Sequence, residues 1–152
     1  MKVEIIKCLQ DNYSYLLINE QNQNACVIDP SEAKPIINFV EKKNINLKFI
    51  LNTHHHYDHV GGNNELKKRY SAKIVGFKND KNRIPNIDIL VTNNQIWSNE
   101  NFEAKIIHIP GHTSGHICFI FQKIKLLLLG IHYFHLAVAE YLKVHMNKCL
   151  LL

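Results

Sequence analysis

The sequence predicts a layered α/β (α+β) domain built on a mixed sheet. Three features predict it: strand-like runs are long, helical runs are few, and the first two runs lie close enough to pair as a hairpin. A doubly wound fold would instead alternate strand and helix throughout. At 152 residues and 17.7 kDa a single domain is the default, and 46% hydrophobic with 20% charged residues is ordinary globular usage.

Val3 to Leu9 and Tyr13 to Ile18 read as the hairpin strands, with Gln10, Asp11 and Asn12 as the polar turn. Ala25 to Ile28 is a third strand, ending at Asp29, Pro30 and Ser31. Ser31 is placed to cap a helix: Glu32 and Ala33 suit the first turn, Pro35 is tolerated there, and Ile36, Ile37 and Val40 repeat at helical spacing up to Lys42, Lys43 and Asn44. Leu47 to Leu51 is a compact apolar strand that runs into a histidine-rich segment. Gly61 and Gly62 are expected to act as a flexible hinge into a short helix, Glu65 to Tyr70, followed by a strand from Lys73 to Gly76. Lys78 to Asn86 is polar, carries Pro85 and reads as loop, and Phe102 to Ile109, His116 to Phe121 and Ile124 to Leu129 complete the strands.

The chemistry gathers at two loops. In an extended segment His54 and His56 project to one side and His55 to the other, so the first pair can share a metal. Asp58 and His59 lie where the chain turns toward Gly61, aimed at a second metal nearby. His112, in the loop Pro110 to His116, is the ligand expected from a different direction, and its glycines allow a tight turn. The alternative, a fortuitous run of solvated histidines, does not explain why both loops follow strands and both carry glycines. His55 and His116 read as packing or hydrogen-bonding residues, with His116 a partner for a ligand, and His108 reads as a core strand residue. Asp29 either fixes the loops or is a plain helix-entry carboxylate.

The net charge of +5 and pI near 9.0 come from scattered lysines without an arginine-rich stripe or aromatic stacking motif, so no nucleic-acid partner is expected, and a small anionic substrate fits the same charge. Cys8, Cys26, Cys118 and Cys149 are widely spaced with no C-x-x-C pair, as reduced cysteines are. The N-terminus shows no signal-peptide pattern and the apolar run Lys125 to Gly130 is too short for a bilayer, so a cytoplasmic protein with no membrane partner is expected.

Thr53 to Asn63, T-H-H-H-Y-D-H-V-G-G-N, resembles the metal motif of the metallo-β-lactamase superfamily in its hydroxyacylglutathione hydrolase (glyoxalase II) branch. H-I-P-G-H-T-S-G-H-I-C, from His108 to Cys118, resembles that branch's second metal loop, and L-Q-D-N-Y-S-Y-L-L and V-I-D-P are similar too. The resemblance spans residues 1–130 and implies the N-terminal half of an αββα sandwich, with helices on one face of the mixed sheet. It implies two Zn2+ ions, one on His54, His56 and His112 and the other on Asp58 and His59, with a hydroxide held by the metals as the nucleophile against a glutathione thioester. The implied reaction is hydrolysis of S-lactoylglutathione to lactate and glutathione, in methylglyoxal detoxification.

The family pattern next expects an aspartate bridging the metals after a strand-terminal glycine, where this chain has Gly130-Ile131. An isoleucine cannot bridge metals. A later histidine and a helical glutathione-binding domain also lack counterparts, so the domain in residues 1–130 is expected to be incomplete and its catalysis severely impaired. One metal is expected to be held well and the second weakly. The expectation extends to stability: without a second layer of sheet, the inner faces of Phe102 to Ile109 and Ile124 to Leu129 would be exposed. Residues 131–152 read as a frameshifted tail. One extra base before the Ile131 codon permits D-T-L-F-S-x-G-C-G-R-I-F-E-G-T-Y-E-Q, which resembles the family segment that carries the bridging aspartate. A non-catalytic metal-binding remnant, or another hydrolase of the superfamily such as a nuclease or a different thioesterase, are the alternatives.

Overall fold

A computed structural model describes residues 1–130, and the reading of 131–152 as an aberrant tail lies outside the described residues. Among the described residues ten strands form two sheets. The first holds β1 (Lys2–Cys8), β2 (Asn12–Ile18), β3 (Asn24–Ile28), β4 (Asn46–Leu51), β5 (Lys73–Phe77) and β6 (Ile89–Val91) in that spatial order. The second has the order β10-β9-β8-β7, from β7 (Ile96–Asn99), β8 (Phe102–His108), β9 (Ile117–Phe121) and β10 (Leu126–Leu128). β1 to β3 pair antiparallel and β3 to β6 pair parallel, so the first sheet is mixed as expected, and the second is antiparallel throughout.

Alternation along the strands sorts the core into two layers. Leu16, Ile18, Val27, Leu47, Ile50 and Ile74 face the helix α1 (Ala33–Lys42), which presents Ile36, Ile37 and Val40, and the helix α3 (Asn63–Tyr70), which presents Leu66. On the opposite face Leu17, Cys26, Ile28, Phe49, Leu51 and Val75 meet Trp97, Phe102, Ala104, Ile106, Ile117, Phe119 and Leu128 of the second sheet. With both faces covered, β3 and the end of β4 are buried without interruption, which is why they read as solid apolar runs. Phe49 anchors the sheet-to-sheet layer, edge-on to Trp97 at 5.3 Å and to Phe102 at 6.2 Å between ring centres.

Several local expectations are corrected. The second sheet layer is present among the described residues, so Phe102, Ala104, Ile106 and Leu128 are buried and not exposed. Its strand β10 is shorter than Ile124 to Leu129, because Gln122–Ile124 forms a 3-10 turn. Ser31 does not cap α1. Glu32 occupies the cap position and makes no side-chain cap bond, since its Oε1 accepts from the backbone N–H of Leu9 at 2.6 Å. Gly61 and Gly62 are not a flexible hinge: both have right-handed helical dihedrals, and α3 begins at Asn63, not Glu65. They are needed for close approach, because a Cβ on Gly62 would meet Glu32 C at 2.9 Å and Pro30 O at 3.0 Å.

Candidate metal centre

Three parallel strands deliver the polar residues to one edge. Asp29 follows β3, the segment 52–59 follows β4, and Asp80 lies in a 3-10 turn (Lys78–Asp80) directly after β5. Polar side chains collect at the carboxyl ends of parallel strands because loops there converge on one crevice. The second sheet supplies the loop between β8 and β9, tied to the first by a bond from Ile117 N to Thr53 O of 2.9 Å.

His54, His56 and His112 come together: one ligand atom from each lies within 4.8 Å of the others. Their rings stand nearly perpendicular in pairs, at 77°, 78° and 87°, with centres 4.7 to 4.9 Å apart. His54 is fully buried, and burial together with the neighbouring His59 and His116 rings pushes its pKa down to about 2. The imidazole is therefore neutral and has a lone pair to offer.

Its tautomer follows from its neighbours. Thr53 Oγ1 donates to Asp29 Oδ2 at 2.6 Å, and so can only accept from His54 Nδ1, 3.0 Å away. The proton sits on Nδ1, leaving Nε2 bare. That atom is buried without a hydrogen-bond partner. An unpaired buried imidazole nitrogen flanked by two further imidazoles is the donor set and the orphaned atom that a divalent cation would satisfy.

Asp58 and His59 lie on the one-turn helix α2 (Tyr57–Val60), which the sequence reading treated as a plain turn. His59 Nε2 is 3.3 Å from Asp58 Oδ2, and its Nδ1 is 3.2 Å from Asp29 Oδ2, an ion-pair distance at which the N–H does not point straight at the oxygen. Burial works against charge on His59, but the Asp29 carboxylate outweighs it and raises the pKa. Burial likewise opposes ionisation of Asp58, but Asn12 and His59 together hold its carboxyl below the usual range. Asn12 Nδ2 donates to Asp58 Oδ2 at 3.0 Å and to Asp58 O at 3.2 Å.

Asp29 resolves in favour of fixing the loops. It is buried, its Oδ1 accepts from Thr53 N at 2.8 Å, and one carboxylate thus orients both His54, through Thr53, and His59. Asp29, His54 and His59 also bring ligand atoms within 4.8 Å of one another, but the carboxylate is already occupied by these donors. His116 is buried and pairs through Nε2 with Leu129 O at 2.7 Å, and His55 pairs through Nδ1 with Asp80 Oδ2 at 3.3 Å, both as hydrogen-bonding residues. His108 is only half-buried, stacked on Phe77 with Nε2 2.9 Å from Ser114 O, so it braces the loop as well as the core. Sequence reasoning missed Asn12, taken as a turn residue, Thr53, and Asp80, whose partners lie far along the chain. Among the described residues no helix is long and apolar enough to cross a membrane.

A family profile described as the Metallo-beta-lactamase superfamily matches residues 10–130. Among curated proteins, the chain is similar to the hydroxyacylglutathione hydrolase of Pelagibacter ubique, 62% identical over 92% of this chain and 59% of that protein. It is also similar to the hydroxyacylglutathione hydrolase of Rhodospirillum rubrum, 40% identical over 86% of this chain and 51% of that protein. The chain thus spans little more than half the length of these relatives. Among solved structures, the BLEG-1 B3 metallo-beta-lactamase superposes with a TM-score of 0.75 at 21% identity, covering 84% of this chain and 71% of that one. ETHE1 from Myxococcus xanthus gives 0.68 at 23% identity over 84% and 54%. At these identities the structural likeness concerns the fold.

Proposed function

The chain belongs to the metallo-β-lactamase superfamily, whose fold binds metal, and on that premise we propose that it carries the metal-binding residues of a glyoxalase II-type thioester hydrolase acting on S-lactoylglutathione. The observation that carries this reading is the convergence of His54, His56 and His112 around the bare, buried Nε2 of His54. We assign these three to one Zn2+ and Asp58 with His59 to a second, since imidazole and carboxylate suit a borderline cation. When bound, such cations polarise a carbonyl and make water acidic near neutral pH.

The protein's own groups prepare the site. Through Thr53, Asp29 keeps the proton on Nδ1 of His54 and frees its Nε2, and the same carboxylate lies beside Nδ1 of His59. Asn12 holds one oxygen of the Asp58 carboxylate by a hydrogen bond to Oδ2. His116 ties the end of β10 to the second metal loop, and Gly130 packs so closely on Thr53 and Asp29 that a side chain there would collide with both. Gly130 itself therefore lies against the site.

In the sequence Gly130 is followed by Ile131, where the family places a bridging carboxylate, and this favours a second reading in which the chain holds metal without catalysis. We propose that residues 131–152 are read from a shifted frame and that one added base restores the aspartate. The test is thiol release from S-lactoylglutathione by the metal-loaded chain and by a one-base-corrected version. Turnover by the corrected protein, with little or none from the chain as it stands, is expected. A corrected protein that binds metal but releases no thiol would refute the thioesterase reading.

A further inference from the structure

We propose that Asp80 is a positioning residue that sets the spacing between the two histidine loops and so holds His112 in register with His54 and His56. This rests on the reading of those three histidines as a metal site and deepens it. Asp80 is wholly buried, and its carboxylate is not among the groups that converge on the site. It reaches instead behind both loops. Oδ2 faces Nδ1 of His55, the residue between the two ligands of the first loop, at 3.3 Å. Oδ1 is paired with Arg83, and the same Nη2 of Arg83 donates to Ser114 Oγ of the second loop at 2.9 Å. Gly115 of the second loop lies directly on the carboxylate: a Cβ there would overlap Asp80 Oδ1 and Cγ, so the loop can seat only with glycine at this position.

The Asp80 turn is itself rigid. Its backbone carbonyl accepts from Arg83 N at 2.8 Å and Ile84 N at 2.9 Å, and Ile84 is fully buried in the helix-side core. One fixed carboxylate therefore determines where His55 and Gly115 come to rest, and with them ligands on two different sheets. A metal site needs such fixing because its donors must converge within a few tenths of an ångström, and outer partners of this kind typically change metal affinity about 10- to 100-fold.

The test is cobalt(II) titration of the full chain, read by visible absorption for both affinity and ligand geometry, with the melting temperature of each metal-free variant recorded alongside. Asp80→Asn is expected to weaken cobalt binding about 10- to 100-fold and to alter the visible band. His55→Ala removes a partly buried contact and should weaken binding in the same direction, with a smaller change in melting than Asp80→Asn. The double variant should be no weaker than the weaker single, because both act through one contact. Gly115→Ala should reproduce the altered band. If Asp80→Asn does not fold, His55→Ala and Ser114→Ala decide. Unchanged affinity and spectrum in those variants, or fully additive losses, would overturn the proposal. Equal cobalt binding by the native chain and His112→Ala would instead sink the metal-site reading itself.

Discussion

Replacing Asp29 by asparagine changes one atom and should reset two imidazoles. Asp29 has φ +50, a left-handed conformation that asparagine tolerates, so the backbone is undisturbed. If the new amide keeps its oxygen on Thr53 N, its NH2 faces Thr53 Oγ1 and His59 Nδ1, which in the native protein lie 2.6 and 3.2 Å from Oδ2. The hydroxyl must then accept, its own proton turns to His54 Nδ1, and both histidines carry their proton on Nε2. Those are the atoms we propose to hold metal. A charge-assisted hydrogen bond contributes about 1.5 to 3 kcal/mol, and the poorly aligned His59 contact sits at or below the bottom of that range, so the combined loss is about 2 to 4 kcal/mol. At 1.4 kcal/mol per tenfold this is roughly 30- to 700-fold in zinc affinity. Chelator competition measures the affinity, and long-range proton–nitrogen NMR of the metal-free chain reads the tautomers directly. Zinc binding within about threefold of native, or a native His54 already protonated on Nε2, would refute the reasoning.

Three further outcomes are expected. Elemental analysis after dialysis should find close to one zinc per chain, lost when His54 and His112 are replaced by alanine, because the first set has three ligands and the second two; two tightly held ions would contradict this. Phe49→Ala should destabilise the fold by about 3 to 5 kcal/mol in urea unfolding, because the cavity opens between Trp97 and Phe102 in the layer joining the sheets. Burial opposes ionisation of Asp88, but the Lys67 bond at 2.6 Å and the Ile74 N–H at 2.8 Å prevail and lower its pKa. A lowered folded value means stability present above the ordinary carboxylate pKa near about 4 and lost as pH falls below it. Asp88→Asn should flatten that acid limb, and an unchanged pH profile would show the pair to be inert.

The convergence of the three histidines was legible because it obeys local rules: His54 and His56 share a side of an extended segment, and His112 sits in a loop with its own glycines. The hairpin, α1 and the apolar strands were legible through periodicity, which needs several consecutive buried positions. β6 and β7 were not. β6 has three residues, and β7 buries only Trp97, so each becomes a strand by pairing with β5 or β8 and not by its own pattern. Ser31 had the right chemistry for a cap, but the deciding partner for Glu32 was Leu9, which sequence spacing does not bring near. Asp80 was invisible for the same reason: a lone carboxylate in a polar loop acquires meaning only when His55 and Gly115 are folded against it.

The seam between the sheets passes through the histidine cluster. His54 and His56 hang from one sheet and His112 from the other, so a cation there would act as a removable staple across the sandwich. Its binding free energy is then also docking free energy. Ion at 100 times its dissociation constant would stabilise the closed form by about 2.7 kcal/mol. Resistance to proteolysis would therefore rise and fall with the free metal of the surroundings, and a chelator would act on this protein as a mild denaturant.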